Sequence, residues 1–272
     1  MKRIKFALTV VKIFMKNQMQ DRTNLLLDIF NMVSRCLIVF LLYAYIFKLS
    51  GGSINGVDYK TTMWSMFIYF CIMILNIRRL DNIIMGEVKS GNVEMFMNKP
   101  TNYLTISFMK VIGQGIFSFL FISLLGTLMM ITFIGIPNLN LYVFIPTFII
   151  TLLLGQILGL LVYGSIGLMA FFIQDIRPVH WIVDKLVMVL GGSYLPISMF
   201  PPFMKVLAFI SPFGAINFAS STVYESWNSE CIMRISLQFL WIGIFGLLLT
   251  FIYNKSKEKA MINGGWLWVI LD

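Results

Sequence analysis

Residues 141–173 read LYVFIPTFIITLLLGQILGLLVYGSIGLMAFFI, a run of 33 residues without one charged side chain. A helix that crosses a bilayer needs about 20 mostly apolar residues. This run exceeds that and must tilt, kink or protrude. Gly155 and Gly159, followed by Gly164 and Gly167, give it a face of small residues. Such a face lets helices pack closely; a substrate-facing surface is its other reading. Outward from this run lie Ile29–Phe47, Thr61–Ile77, Val111–Ile136, Leu186–Met204 and Ile235–Tyr253, each long and apolar enough to span. Over the whole chain 58% of residues are apolar and 12% are charged, where a soluble domain carries about 25%. Such a composition cannot clothe a globule in polar surface. It excludes a soluble enzyme, a disordered chain and a disulfide scaffold, and implies an all-α polytopic membrane protein forming one domain over residues 1–272.

Val206–Tyr224 is also uncharged and would make a seventh span, but it contains Pro212, Gly214, Asn217 and Ser220–Ser221–Thr222. Charge arbitrates. With six spans and a cytoplasmic N-terminus, 16 of the 21 basic residues fall inside, only Lys48, Lys60, Lys205 and Arg234 fall outside, and Arg35 lies in a span, as the positive-inside rule requires. A seventh span would export the Lys255–Lys259 tail. Irregular backbone at membrane depth survives only when buried in protein or lining water, so residues 191–224 are expected to hold a re-entrant segment entering from outside. The net charge of +9 is then an orientation signal and gives no reason to expect nucleic acid.

Lys2, Arg3 and Lys5 resemble the start of a signal peptide, but Lys12 and Lys16 interrupt the apolar stretch that a signal peptide needs next. Lys5, Thr9, Lys12 and Lys16 recur at helical spacing opposite Ile4, Leu8, Val11 and Met15. That pattern predicts an amphipathic interfacial helix on anionic lipid within residues 1–24.

Candidate chemistry is sparse. Cys36, Cys71 and Cys231 are far apart and read as packing residues, with no metal site. No phosphate-binding loop, H-E-x-x-H or G-x-S-x-G motif occurs, so no catalytic residue is assigned. His180, the single histidine, stands four residues before Asp184 and predicts a helix-surface pair. Asp28 and Arg35 lie seven apart on one helix face; Arg35 is expected to snorkel or to pair with a neighbouring helix. Gln114, Gln156 and Asn76 are the deeper polar groups, suited to helix-to-helix hydrogen bonds or to a permeation path. Spans two to six hold no carboxylate, which argues against coupling to protons or sodium. Energy for transport would have to come from another subunit.

Two loops are informative. Residues 78–103, RRLDNIIMGEVKSGNVEMFMNKPTNY, set Ile83, Ile84, Val88, Val93, Phe96 and Met97 against Glu87, Lys89, Asn92 and Glu94, broken at Gly86 and Ser90–Gly91. A short helix beneath the membrane fits, and so does a plain connector. Residues 190–224, LGGSYLPISMFPPFMKVLAFISPFGAINFASSTVY, are punctuated by Gly191–Gly192, Pro196, Pro201–Pro202 and Pro212 yet stay apolar between. A broken span followed by re-entrant pieces satisfies both facts.

On these loops the chain resembles the permease subunits of ABC transporters of the ABC-2 (type-2 exporter) class. The first match runs from Gly86–Glu87 to Met97-Asn98-Lys99-Pro100, with Lys99 where that family commonly has Arg. The second comprises Gly191–Gly192, Pro196, Phe200–Pro201 and Pro212–Phe213, and the final Gly264–Gly265 is also similar. The resemblance implies that Gly86, Glu87, Lys89, Asn92, Phe96, Met97, Lys99 and Pro100 dock on a cytoplasmic ABC ATPase. It implies that the second set shapes an outer gate. Arg35, Gln114 and Gln156, read from their polarity within the spans, are expected to line a path or pack helices. Two permease chains, identical or paralogous, would pair in the cell membrane of a bacterium, both termini cytoplasmic. This chain would carry no cofactor; ATP and magnesium would sit on the partner subunits. Apolar walls suit an amphipathic or hydrophobic cargo, moved outward. A secondary carrier or channel not driven by ATP is the alternative, and a membrane enzyme acting on lipid would need a clustered catalytic set that the sequence lacks.

Overall fold

A computed structural model describes residues 2–54, 56–75, 77–93, 102–173, 175–193 and 195–266. Long apolar runs become long helices because a helix satisfies every backbone group within itself. The chain runs α1 (Lys2–Gln20), α2 (Arg22–Leu49), a two-stranded antiparallel ribbon (Ser53–Ile54 with Val57–Asp58), α3 (Tyr59–Ile74), a 3-10 turn (Ile77–Arg79) and α4 (Leu80–Lys89). It continues through α5 (Tyr103–Phe133), α6 (Leu141–Leu168), α7 (Arg177–Leu190), α8 (Pro202–Ile210), the single turn α9 (Pro212–Ala215), a 3-10 segment (Phe218–Val223) and α10 (Trp227–Trp266). Asp58, Asn102 and Asn140 start α3, α5 and α6 by accepting a backbone N–H at the first turn, the role for which short polar side chains are favoured.

Among the described residues five segments are long and apolar enough to cross a membrane: Leu25–Leu49, Tyr59–Lys89, Tyr103–Phe133, Leu141–Phe171 and Trp227–Lys259. The second is divided by the Ile77–Arg79 turn into α3 and α4. The expected span Leu186–Met204 is not one helix. α7 stops at Leu190, Gly192 takes φ +85°, and Pro196 and Pro201 hold extended backbone before α8 begins. Two glycines followed by prolines cannot continue a helix.

The glycine face of α6 decides the packing. A Cβ on Gly155 would stand 2.3 Å from the carbonyl oxygen of Ile216. One on Gly159 would meet Ile77 and Ile216, one on Gly164 would meet Phe108 and Leu249, and one on Gly167 would meet Ile84 at 2.8 Å. Close packing, the first use expected of this face, is therefore realised at Gly155, Gly164 and Gly167, while a Cβ at Gly159 would make ordinary contact. α6 and α10 run side by side in the same direction: Trp227 Nε1 donates to Thr147 Oγ1, and further along Ser256 Oγ donates to the Leu168 carbonyl. α3 and α5 run antiparallel, Gly126 against Phe67 and Gly115 against the Leu75 carbonyl. α1 lies on α5, where Gly113 admits the backbone of Val11 and the Cβ of Phe14. Leu8, on the apolar side expected to face lipid, is exposed.

The bundle thus has two ends. The basic end carries α1, α4 and the C-terminal part of α10. The hairpin end carries the β ribbon, α8 and Trp227. The chain from α8 through α9 to Val223 descends and returns: the Ile210 carbonyl accepts from Trp241 Nε1 and the Ala215 carbonyl from Gln238 Nε2, whereas Tyr224 leads back to Trp227. Its tip lies against Gly155, midway along α6.

Candidate functional site

At the basic end, α4 is an amphipathic helix with Leu80 and Ile84 fully buried against the close approach at Gly167. Its polar side chains also turn inward. The Tyr103 hydroxyl donates to Glu87 Oε2 at 2.6 Å and Lys110 Nζ donates to Oε1 at 3.2 Å, which ties α4 to α5. Asp81, with no exposed surface, pairs with His180 Nδ1 of α7. Just before α4, Arg78 donates to Asp184 of α7 at 2.6 Å, and the Tyr163 hydroxyl of α6 reaches the same carboxylate at 3.4 Å. His180 and Asp184 therefore do not pair with each other as their spacing suggested; each crosses to the α3–α4 turn or to α4. At the start of α7, the Arg177 guanidinium hydrogen-bonds Asp175 and holds its carboxyl down at about 2.

Of the expected docking residues, Gly86, Lys89 and Asn92 are exposed on or just beyond α4, and Glu87 is occupied within the chain. Phe96, Met97, Lys99 and Pro100 lie outside the described residues, as does Asn76.

Of the expected gate residues, Gly191, Pro212 and Phe213 lie at the hairpin tip and the others lie along the chain from Gly192 to the start of α8. Gly191 and Asn217 are neighbours: Asn217 Nδ2 donates to the Val187 carbonyl, and a Cβ at Gly191 would stand 2.3 Å from that nitrogen. Gly192 packs on Ile197. Phe200 is buried, as is Pro196, while Pro201 is exposed at the start of α8. Pro212 opens α9, Phe213 is half-buried, and Gly214 meets the Ala208 carbonyl so closely that no side chain could fit. Gln156 joins Arg78, Tyr163 and Asn217 around a cavity of about 20 Å³ beneath the tip, room for a single water. Gln114 is half-buried on α5, away from this cluster.

The sequence marks neither Gln238 nor Asn217 as functional, yet they hold the tip. Gln238, fully buried, donates to the carbonyls of Thr151 and Ala215 at 3.1 and 2.8 Å. A glutamine within the otherwise apolar stretch Ile235–Tyr253 is the one signal that could have found it. Above the tip opens a cavity of about 770 Å³ lined by α8, the Phe218–Val223 segment and the start of α10. Its floor includes the Arg234 guanidinium, 5.0, 5.1 and 5.6 Å from the rings of Phe209, Phe218 and Trp227 and bonded to Glu230 at 2.6 Å.

The chain matches no family model and no curated protein. Among the described residues no group of three His, Cys, Asp or Glu stands together as metal ligands would. The arrangement joins α4 to α5, α6 and α7 at one end and leaves a cavity of about 20 Å³ beneath the hairpin tip at the other.

Proposed function

We propose that this chain is the membrane-spanning permease subunit of an ATP-driven transporter of the ABC-2 type, exporting an amphipathic or hydrophobic substrate. On this reading the basic end and both termini face the cytoplasm of a cell membrane. The fifth crossing in chain order is made in pieces, α7 and the irregular chain between Gly192 and α8. The segment from α8 to Val223 is a re-entrant hairpin entered from outside. Partner ATPase subunits bind ATP and magnesium, and a second permease chain, identical or paralogous, completes the path.

The observation that carries the reading is the anchoring of α4. A plain connector between two spans has no need of it, but α4 is fixed to α5 through Glu87, to α6 through Ile84 and Gly167, and to α7 through Asp81. A helix that receives a push from a cytoplasmic motor must hand it on, and these links supply the route. The partner-facing surface is then the exposed edge of Gly86, Lys89 and Asn92, continued in sequence by Phe96 to Pro100. Glu87 serves by fixing α4 rather than by touching the ATPase. The tip packed at Gly155 is the closed outer gate.

The test is purification of the tagged chain in mild detergent. A P-loop ATPase is expected to co-purify, and reconstituted vesicles are expected to hydrolyse ATP faster with cargo than without. Phe96→Ala should uncouple hydrolysis from transport with expression intact. If no such ATPase binds, the reading fails.

A further inference from the structure

Arg35 lies inside the apolar span Leu25–Leu49, ten residues along it, which is about 15 Å of helix. A guanidinium does not deprotonate in proteins, so at this depth it needs an anion or water. Among the described residues no carboxylate lies within ion-pairing distance of Arg35 or of Arg79, and both side chains are exposed. The two line the same cleft of about 220 Å³ between α2 and the inner end of α3, together with Asp28, Asn31 and Arg78. Asn31 stands one turn below Arg35 on the same face. Three arginines against one aspartate leave +2; Arg78 is already neutralised by Asp184, so the cleft carries one uncompensated positive charge.

We propose that this cleft binds the phosphodiester headgroup of an anionic membrane lipid, with Arg35 and Arg79 as its ligands. Guanidinium forks match phosphate oxygens in pairs, and basic pockets between helices at a cytoplasmic face suit such headgroups. A singly charged phosphodiester cancels the surplus charge, whereas a phosphate dianion would also meet Asp28. The acyl chains have a surface to follow: Phe30, Leu27, Ile38 and Leu41 lie exposed along α2. The site does not depend on the transport reading.

The test uses the full chain in a charge-neutral detergent, with phosphatidylglycerol, phosphatidylcholine or inorganic phosphate added at equal concentration. Thermal unfolding and native mass spectrometry are the readouts. Phosphatidylglycerol is expected to raise the unfolding midpoint and to leave one-lipid adducts, with at least tenfold weaker binding in Arg35→Gln and in Arg79→Gln. Lys205→Gln, at the hairpin end, should bind as the parent does. Should Arg35→Gln fail to fold, Arg79→Gln and Arg35→Lys give the same reading, the lysine variant being intermediate. Equal shifts from phosphatidylcholine, or an undiminished phosphatidylglycerol shift in Arg79→Gln, would overturn the site. An equal shift from inorganic phosphate would make it a free-anion site and overturn the lipid assignment. Loss of an oligomer in Arg35→Gln without headgroup dependence would mean that a second copy supplies the anion, which also overturns it.

Discussion

Replacing Glu87 by glutamine should loosen α4 from α5, and the size of the effect can be worked from its bonds. The carboxylate takes one hydrogen bond from the buried Tyr103 hydroxyl at 2.6 Å and one from Lys110 at 3.2 Å, with side-chain exposures of 18% for Glu87 and 30% for Lys110. A hydrogen bond to a charged group contributes about 1.5–3 kcal/mol, and a partly exposed ion pair adds about 0.5 kcal/mol. The glutamine amide would keep a neutral bond to Tyr103, about 1 kcal/mol, so the substitution should cost about 1–2.5 kcal/mol. For a chain of this size that lowers the thermal midpoint by about 2–10 °C. The sharper measurement is a double-mutant cycle of Glu87→Gln with Tyr103→Phe, in detergent and in vesicles. The coupling energy should reach about 1 kcal/mol, since directly bonded residues are non-additive. If α4 transmits force, the single variant should also lower transport per ATP hydrolysed. Additivity within about 0.3 kcal/mol would show that the bond does not hold α4, and the transmission route through α5 would fall with it.

Three further outcomes test other parts. Removing one partner of a buried pair leaves an uncompensated charge, so His180→Ala should destabilise by about 3 kcal/mol, and His180→Ala with Asp81→Asn should recover part of that loss by the same thermal assay; a double variant worse than the single would refute the pairing. Arg234→Ala removes a cation held between three rings and Glu230 and should cost about 2–3 kcal/mol, more than Glu230→Gln, because cation–π contacts contribute about 1–2 kcal/mol when desolvated; the reverse order would show the ion pair to dominate. Gly86→Ala, in open space on a helix, should stabilise by up to about 1 kcal/mol, while Gly214→Ala, whose Cβ would stand 1.9 Å from a carbonyl oxygen, should fail to reach the membrane in folded form; normal expression of the latter would place the tip elsewhere.

What the sequence disclosed and what it hid differ in physical kind. Runs such as 141–173 announce helices because hydrophobic length is a local property, and the spacing of Gly155 to Gly167 announced a packing face for the same reason. What that face packs against is non-local. Ile216, Ile77, Phe108 and Ile84 come from four separate stretches, and no spacing relates them to α6. His180 illustrates the cost of local reasoning: its i+4 neighbour Asp184 was the nearest carboxylate in sequence, but Asp81, 99 residues away, is the partner in space. Leu186–Met204 was read as a span from its apolar content, and its glycines and prolines, which marked that span as a broken one, set the backbone against a continuous helix. Gln238 escaped notice because one glutamine among apolar residues is invisible to averaged hydropathy, though it bonds both the tip at Ala215 and α6 at Thr151.

The two ends of the bundle are fastened differently, and that difference bears on how a push at α4 would be used. At the basic end the fastenings are charged: Glu87 with Lys110, Arg78 with Asp184, Asp81 with His180. At the tip they are neutral: one bond from Gln238, one from Asn217, one from Trp241, each contributing about 1 kcal/mol, with the carbonyl oxygens of Gln238 and Asn217 buried and unengaged. The close contacts at Gly155 and Gly214 are backbone against backbone and allow separation but no sliding side-chain interlock. A displacement of α4 would therefore carry α5, α6 and α7 as a unit before any of its own pairs gave way, and the weaker tip, bonded to α6, α7 and α10, would part first. If the proposed transport reading holds, strong fastening at α4 and weak fastening at the tip is the distribution that an outward-opening gate requires. The reverse distribution, with ionic locks at the tip and neutral contacts at α4, would dissipate the push at the point of entry.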